Sequence, residues 1–183
     1  MNTIITIETI EALKRGEHKA FDAVFVAYFE KVKRFITGII KSESEAEELA
    51  QDVFVKLWEN HESLDTRYSF NSFIYTVARN TTCNFLKHKL IQTPYMEEPV
   101  QTEVYASPEE LMFAKEIELL IEMALCQMPE QRRAIYQLSR NKGLTNEEIA
   151  SLLNLSKKTV ENNISLVLKE IRKIISLSLL FFA

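Results

Sequence analysis

The chain has only three glycines and four prolines in 183 residues, and between them apolar side chains recur at intervals of one, three and four. A backbone so short of helix breakers, patterned with the period of a helix, is suited to packed helices and little else. The reading is all-α. Hydrophobic residues make up 46 % of the chain, enough to bury a core in one large or two small domains.

A first helix is predicted from residue 4 to 14, stopped at Arg15 and Gly16. Phe21, Val24, Phe25, Tyr28, Phe29, Val32, Phe35, Ile36, Ile39 and Ile40 then make the broad apolar stripe of a long helix. Ser42 followed by Glu45 is a capping box. It opens a helix to about residue 59 with Leu49, Ala50, Val53, Phe54, Leu57 and Trp58 inward. Its other face carries Glu48, Gln51, Asp52, Val55, Lys56 and Glu59. Such a face is ordinarily solvated, so Val55 among the charges is the hint of a docking partner. Residues 60–68 have no period and read as a loop. The next helix, to about residue 90, turns Phe70, Phe73, Ile74, Val77, Ala78 and Phe85 inward. Outward it offers Tyr75, Thr76, Arg79, Asn80, Cys83, Asn84, Lys87 and His88. Charge beside an exposed ring, after a loop holding Arg67 and Tyr68, resembles a surface for single-stranded nucleic acid.

Residues 93–107 include Pro94, Pro99 and several glutamates and read as an acidic linker, which divides the chain into domains at 1–91 and 108–183 with a linker at 92–107. Ser107, Pro108 and Glu110 restart a helix with a third capping box. Leu111, Ala114, Ile117, Ile121, Ala124 and Leu125 form its apolar side, and another helix opens at Pro129 and ends before Lys142.

Residues 145–173 read as helix, three-residue turn and helix. Thr145 and Glu148 form a capping box, and Ile149, Ala150, Leu152 and Leu153 supply the buried side. Asn154 tolerates the left-handed conformation that ends a helix, Leu155 plugs the corner, and Ser156 caps the next helix. Val160, Ile164, Val167, Leu168 and Ile171 should face the core. Lys157, Lys158, Thr159, Glu161, Asn162 and Asn163 are left outward, lysines suited to phosphate and asparagines to a base edge. The plain alternative is a helical hairpin with a solvated charged face.

A net charge of −4 is awkward for a protein that holds DNA alone, because neutralised phosphates drive affinity. Residues 139–183 carry seven Lys or Arg against four Glu, while residues 91–118 carry one Lys against seven Glu. A larger partner is expected to supply most of the grip. Cys83 and Cys126 stand in no metal-ligand spacing and read as free thiols of a reducing cytoplasm, and His18, His61 and His88 as surface histidines. No metal, cofactor or small-molecule substrate is expected, and no nucleophile with its base or carboxylate pair suggests an enzyme. The apolar run at 176–183 is much shorter than the roughly 20 residues of a membrane span, so no membrane insertion is expected.

Taken in order, residues 48–58, 73–80, 128–133, 143–150 and 157–161 make the chain resemble the extracytoplasmic-function class of sigma factors, within the sigma-70 family. The resemblance spans about residues 21–173. It implies two small helical domains, sigma regions 2 and 4. It further implies that Glu48, Gln51, Asp52, Val55 and Lys56 dock on the clamp helices of the largest subunit of core RNA polymerase. Arg67, Tyr68, Tyr75, Arg79, Asn80, Asn84 and Lys87 would melt the downstream promoter element, and Lys157, Lys158, Thr159, Glu161, Asn162, Asn163 and Ser165 would read the upstream one. Promoter DNA and an anti-sigma factor are the further partners implied. The chain departs from the family pattern at Phe73, Ile74 and Cys83 and at Asn162 and Asn163, so no promoter sequence carries over. The apolar tail is expected to extend the recognition helix and to pack on the first domain, on an anti-sigma partner or on its own domain. The competing readings are a one-component regulator binding DNA without polymerase, and an adaptor that mimics a sigma factor. The basic helix from Lys157 argues against the adaptor.

Overall fold

The computed structural model describes residues 5–91, 108–179 and 181, and for 90, 91 and 108–113 the backbone course alone. Among the described residues every regular element is helical. The helices are α1 (Ile7–Lys14), α2 (His18–Ile40), α3 (Glu43–Glu59), α4 (Phe70–Ile91), α5 (Pro108–Cys126), α6 (Glu130–Arg140), α7 (Asn146–Leu153) and α8 (Lys157–Leu179), with one 3-10 turn at His61–Ser63. The predicted linker at 92–107 and the predicted cap at Ser107 lie outside the described residues. The chain forms two compact units, one of Met1–His88 with Ser176–Ala183 and the other of Lys89–Ile175.

In the first unit α2 packs along α3, and α1 closes on α2. Thr6 caps α1 by accepting from Thr9 N at 3.3 Å, and α1 stops at Gly16, whose φ of +79° is left-handed. A Cβ there would also lie 3.1 Å from His61 Nε2, so both backbone and space call for glycine. Ser42 Oγ accepts from Glu45 N at 3.4 Å, the first half of the expected box. Val24, Ile36, Ile39, Val53, Phe54, Leu57 and Ile74 fill the core. Phe54 is ringed by Phe25 at 4.8 Å, Phe29 at 5.9 Å and Phe21 at 6.4 Å. Trp58 is sandwiched between the rings of His18 at 4.8 Å and His61 at 5.0 Å.

The buried arc of α4 is wider than the apolar spacing suggested. Tyr75 and Cys83, expected outward, are buried, as are Thr81 and Thr82. Leu86 takes the inward position expected of Phe85, because it lies four residues on from the buried Thr82 and eight on from the buried Ala78. The threonines are compatible with burial because their hydroxyls are bonded: Thr82 Oγ1 donates to Ala78 O at 2.8 Å, and Thr81 Oγ1 accepts from Lys56 Nζ at 3.0 Å.

In the second unit Leu120, Met123, Ala124 and Met128 are buried along and just after α5. Ile135, Ile149, Ala150 and Val160 form a cluster that joins α6, α7 and α8, with Leu138, Leu144, Leu153, Leu155 and Ile164 packed around it. Ala114 is exposed, and Leu152 and Leu168 are 62 % and 40 % exposed, against the expectation that all three face the core. Leu152 lies three residues on from the buried Ile149 but one beyond Ser151, at the solvent edge of a two-turn helix whose inner side is filled by Ile149 and Ala150. No helix among the described residues is long and apolar enough to cross a membrane.

Candidate nucleic-acid interface

The helix-turn-helix of the second unit is assembled by local bonds that the sequence specifies. Thr145 Oγ1 accepts from Glu148 N at 3.3 Å while Glu148 Oε2 accepts from Thr145 N at 2.7 Å, which completes the capping box. Asn154 ends α7 at φ 53°, and Leu155 N bonds Ala150 O at 2.9 Å, which turns the chain and seats Leu155 in the cluster. Ser156 Oγ accepts from Thr159 N at 3.0 Å and starts α8. Thr145→Ala removes one side of the box and should destabilise the helix-turn-helix by about 1 kcal/mol. Urea unfolding followed by far-UV circular dichroism would read the loss, and an unchanged midpoint would show that packing alone holds α7.

The outward face of α8 is less open than its sequence suggests. Lys157, Lys158, Asn162 and Ser165 are exposed, whereas Thr159, Glu161 and Asn163 are half-buried. Lys157 is ion-paired with Glu147 across the turn, which lowers the Glu147 carboxyl below its ordinary value and raises the Lys157 ammonium. Lys158 stands 3.9 Å from Glu161. Asn163, a predicted base reader, bonds inward: Nδ2 donates to Thr159 O at 2.8 Å and Oδ1 accepts from Arg132 Nε at 3.2 Å. Its amide orients α8 against α6, and Asn162 is left as the exposed amide of the pair. Arg132 has no role that the sequence pattern assigns, and only the folded contact brings it to α8.

On the first unit, Glu48, Gln51, Asp52, Val55 and Lys56 share the exposed side of α3, and Val55 is 54 % exposed. The Lys56 ammonium is tied back to Thr81. Arg67, Tyr68, Asn80, Asn84 and Lys87 are exposed and Arg79 is half-buried, its guanidinium bonded to Asn80 Oδ1 at 2.9 Å and lying 6.0 Å from the Tyr75 ring. Tyr68 is 74 % exposed, a bare aromatic face two residues before α4.

Beside that loop lies a hollow of about 370 Å³ lined by Ile5, Thr6, Ile7, Ile10, Tyr28, Thr66, Arg67, Tyr68, Ser69, Phe70 and Asn71. Its size falls in the range of small-ligand sites, about 300–1,000 Å³. Tyr28 Oη hydrogen-bonds Asn71 Oδ1 in its wall. Tyr28 and Asn71 were not singled out in the sequence, since Tyr28 reads as one more member of the α2 core stripe. Burial raises the Tyr28 phenol above its ordinary value.

Arg67 is held by Asp65, Nη2 to Oδ2 at 2.6 Å and Nε to Oδ1 at 2.9 Å, and the Arg67 N–H adds a bond of 3.0 Å to the same carboxylate. These bonds lower the Asp65 carboxyl from 3.8 to about 2. A lowered folded-state pKa means that the contribution of the pair is complete above the ordinary value of 3.8 and is lost as pH falls through about 2. Carboxyl NMR should show Asp65 titrating near the lower value and returning to the ordinary one in Arg67→Ala. A wild-type midpoint already at the ordinary value would mean that the pair does not persist in solution.

Residues 24–89 match the family model for sigma-70 region 2, and residues 118–171 match that for sigma-70, region 4. The RNA polymerase sigma-H factor of Pseudomonas aeruginosa is 26 % identical over 167 residues, covering 86 % of each chain. The ECF RNA polymerase sigma-E factor of Escherichia coli is 26 % identical over 165 residues, covering 85 % of this chain and 86 % of that one. Among solved structures, Rhodobacter sphaeroides SigE in complex with the anti-sigma ChrR is similar at 23 % identity and a TM-score of 0.40, over 91 % of this chain and 95 % of that one.

Proposed function

The chain belongs to the sigma-70 family, in its ECF class, and from that premise we propose how its surfaces divide the work of transcription initiation. The exposed side of α3 binds the clamp helices of the largest subunit of core RNA polymerase. The helix-turn-helix reads the upstream, minus-thirty-five element as duplex. The loop after α3 and the outer face of α4 separate the strands at the downstream, minus-ten element. An anti-sigma factor that withholds the chain from polymerase is the further partner, as the class implies. No covalent chemistry is assigned to the chain.

The observation that carries this reading is the order of the two region matches, at 24–89 and then 118–171, the first lying in the first compact unit up to its last residue and the second wholly in the second. Val55, exposed among charges on α3, supports the polymerase contact, because a lone apolar residue gains from water exclusion only when something covers it. Tyr68 and the hollow beside it support strand separation. An unstacked base needs an aromatic face and a polar-edged recess, and here Tyr68 of the loop borders a recess that α1, α2 and the start of α4 complete. The net charge of −4 fits a protein that reads DNA while polymerase supplies most of the phosphate contact.

Run-off transcription from genomic fragments with purified core polymerase, with and without the chain, tests the proposal when the transcript starts are sequenced. New starts that share a two-part upstream motif are expected. No new starts, together with tight binding of duplex DNA by the chain alone, would replace it with a one-component regulator.

A further inference from the structure

The buried state of Tyr75 has a specific cause in the C-terminal segment. Residues Ser176–Ala183 group with the first unit, and Phe181 there is 0 % exposed. Its ring stands edge-on to Phe35 at 5.4 Å and tilted against Tyr75 at 5.3 Å, with Lys31 Nζ 5.6 Å from its centroid. Ser178 is buried and hydrogen-bonds the Tyr75 side chain. Leu177 enters beside Gly38, where an added Cβ would lie 2.1 Å from Leu177 Cδ1. Glycine is a poorer helix former than alanine, and its place in the last turn of α2 is explained by this close approach.

Tyr75 is 5 % exposed under this cover. It lies one helical turn before Arg79, on the side of α4 that carries the groups proposed to meet a separated strand. We propose that Leu177, Ser178 and Phe181 are an intramolecular plug for the notch formed by Phe35, Gly38 and Tyr75, and that the plug must leave before Tyr75 can stack on a DNA base. The plug stands on packing alone, while its consequence rests on the strand-separation reading above. An aromatic ring against Tyr75 and a base against Tyr75 use the same face, so the two occupants exclude each other. The plug therefore keeps the strand-binding face of the chain shut until promoter opening favours its release.

A reversible crosslink tests both parts in the full chain. The Leu177 Cγ position is 3.3 Å from a Cβ built on Gly38, close to the spacing of about 3 Å between a Cβ and the far sulfur of a disulfide. Gly38→Cys with Leu177→Cys should thus form a disulfide on mild oxidation, mapped by peptide mass spectrometry. The oxidised chain should still bind core polymerase and protect a promoter duplex, but permanganate reactivity of the promoter thymines should fall at least tenfold and return on reduction. Phe181→Ala, without any crosslink, should give reactivity no lower than wild type. Failure of the disulfide to form would remove the plug. A disulfide that leaves thymine reactivity unchanged, or abolishes duplex protection as well, would overturn the assignment of Tyr75 as the shared face. A wild-type chain that supports no transcription would instead sink the sigma reading, and with it the strand role, while the crosslink would still decide whether the plug forms.

Discussion

Phe54→Ala is expected to destabilise the first unit by about 3–5 kcal/mol, the usual cost of emptying a phenylalanine site in a core. Phe54 is 2 % exposed and holds Phe21, Phe25 and Phe29 of α2 against α3, so its removal opens a cavity at the contact on which the unit is built. The lost ring pairs add to the lost transfer energy, at roughly 0.5–1.5 kcal/mol each. A domain has a total stability of about 5–15 kcal/mol, so this single change removes a large part of it. Trp58, the one tryptophan of the chain, packs on Phe21 at 5.2 Å and makes urea unfolding of this unit readable by its fluorescence. Phe29→Ala should cost clearly less, since that ring is half-buried and opens less of a hole. A loss under about 1 kcal/mol for Phe54→Ala would mean that the neighbouring rings collapse into the space, which dense cores seldom permit.

The features that the sequence made legible are those decided within one or two turns. Thr145 and Glu148 cap each other three residues apart, Asn154 takes its left-handed turn, and the exposed side of α3 follows from the period of its apolar residues. Features that failed to show depend on partners that belong to a different element. Tyr75 has the spacing of an outward residue on α4 and is buried because Phe181 arrives from the other end of the sequence. Asn163 has the spacing of a base reader, and Arg132 on α6 draws its amide inward. Lys157 looks like a phosphate contact, and Glu147 on the preceding helix has already paired with it. The hollow beside Tyr68 was invisible for the same reason, since α1, Tyr28 and the loop meet only in the fold.

Two pairs of substitutions should separate the polymerase surface from the upstream-element surface. Gln51→Ala with Asp52→Arg is expected to weaken binding to core polymerase at least tenfold, because interfacial charge couplings run to about 1.5–7 kcal/mol and the arginine reverses the sign. Both residues are exposed, so the fold of α3 should be unaffected and promoter reading by α8 intact. Lys157→Ala with Lys158→Ala is expected to do the reverse, leaving polymerase binding unchanged while weakening promoter binding. If both ammonium groups meet phosphates, the slope of log affinity against log salt should fall by roughly 0.9 for each. The ion pair of Lys157 with Glu147 adds a consequence that the sequence did not suggest. Removing the lysine leaves a carboxylate uncompensated near the DNA backbone, so part of the lost affinity is repulsion. Adding Glu147→Gln to the lysine pair should restore that part without restoring the salt slope, because the slope counts cations at phosphates and the recovered affinity comes from an anion removed. Polymerase pull-down and promoter binding by the holoenzyme at several salt concentrations read all three variants, and loss of both activities in either pair would show that the two surfaces are wrongly assigned.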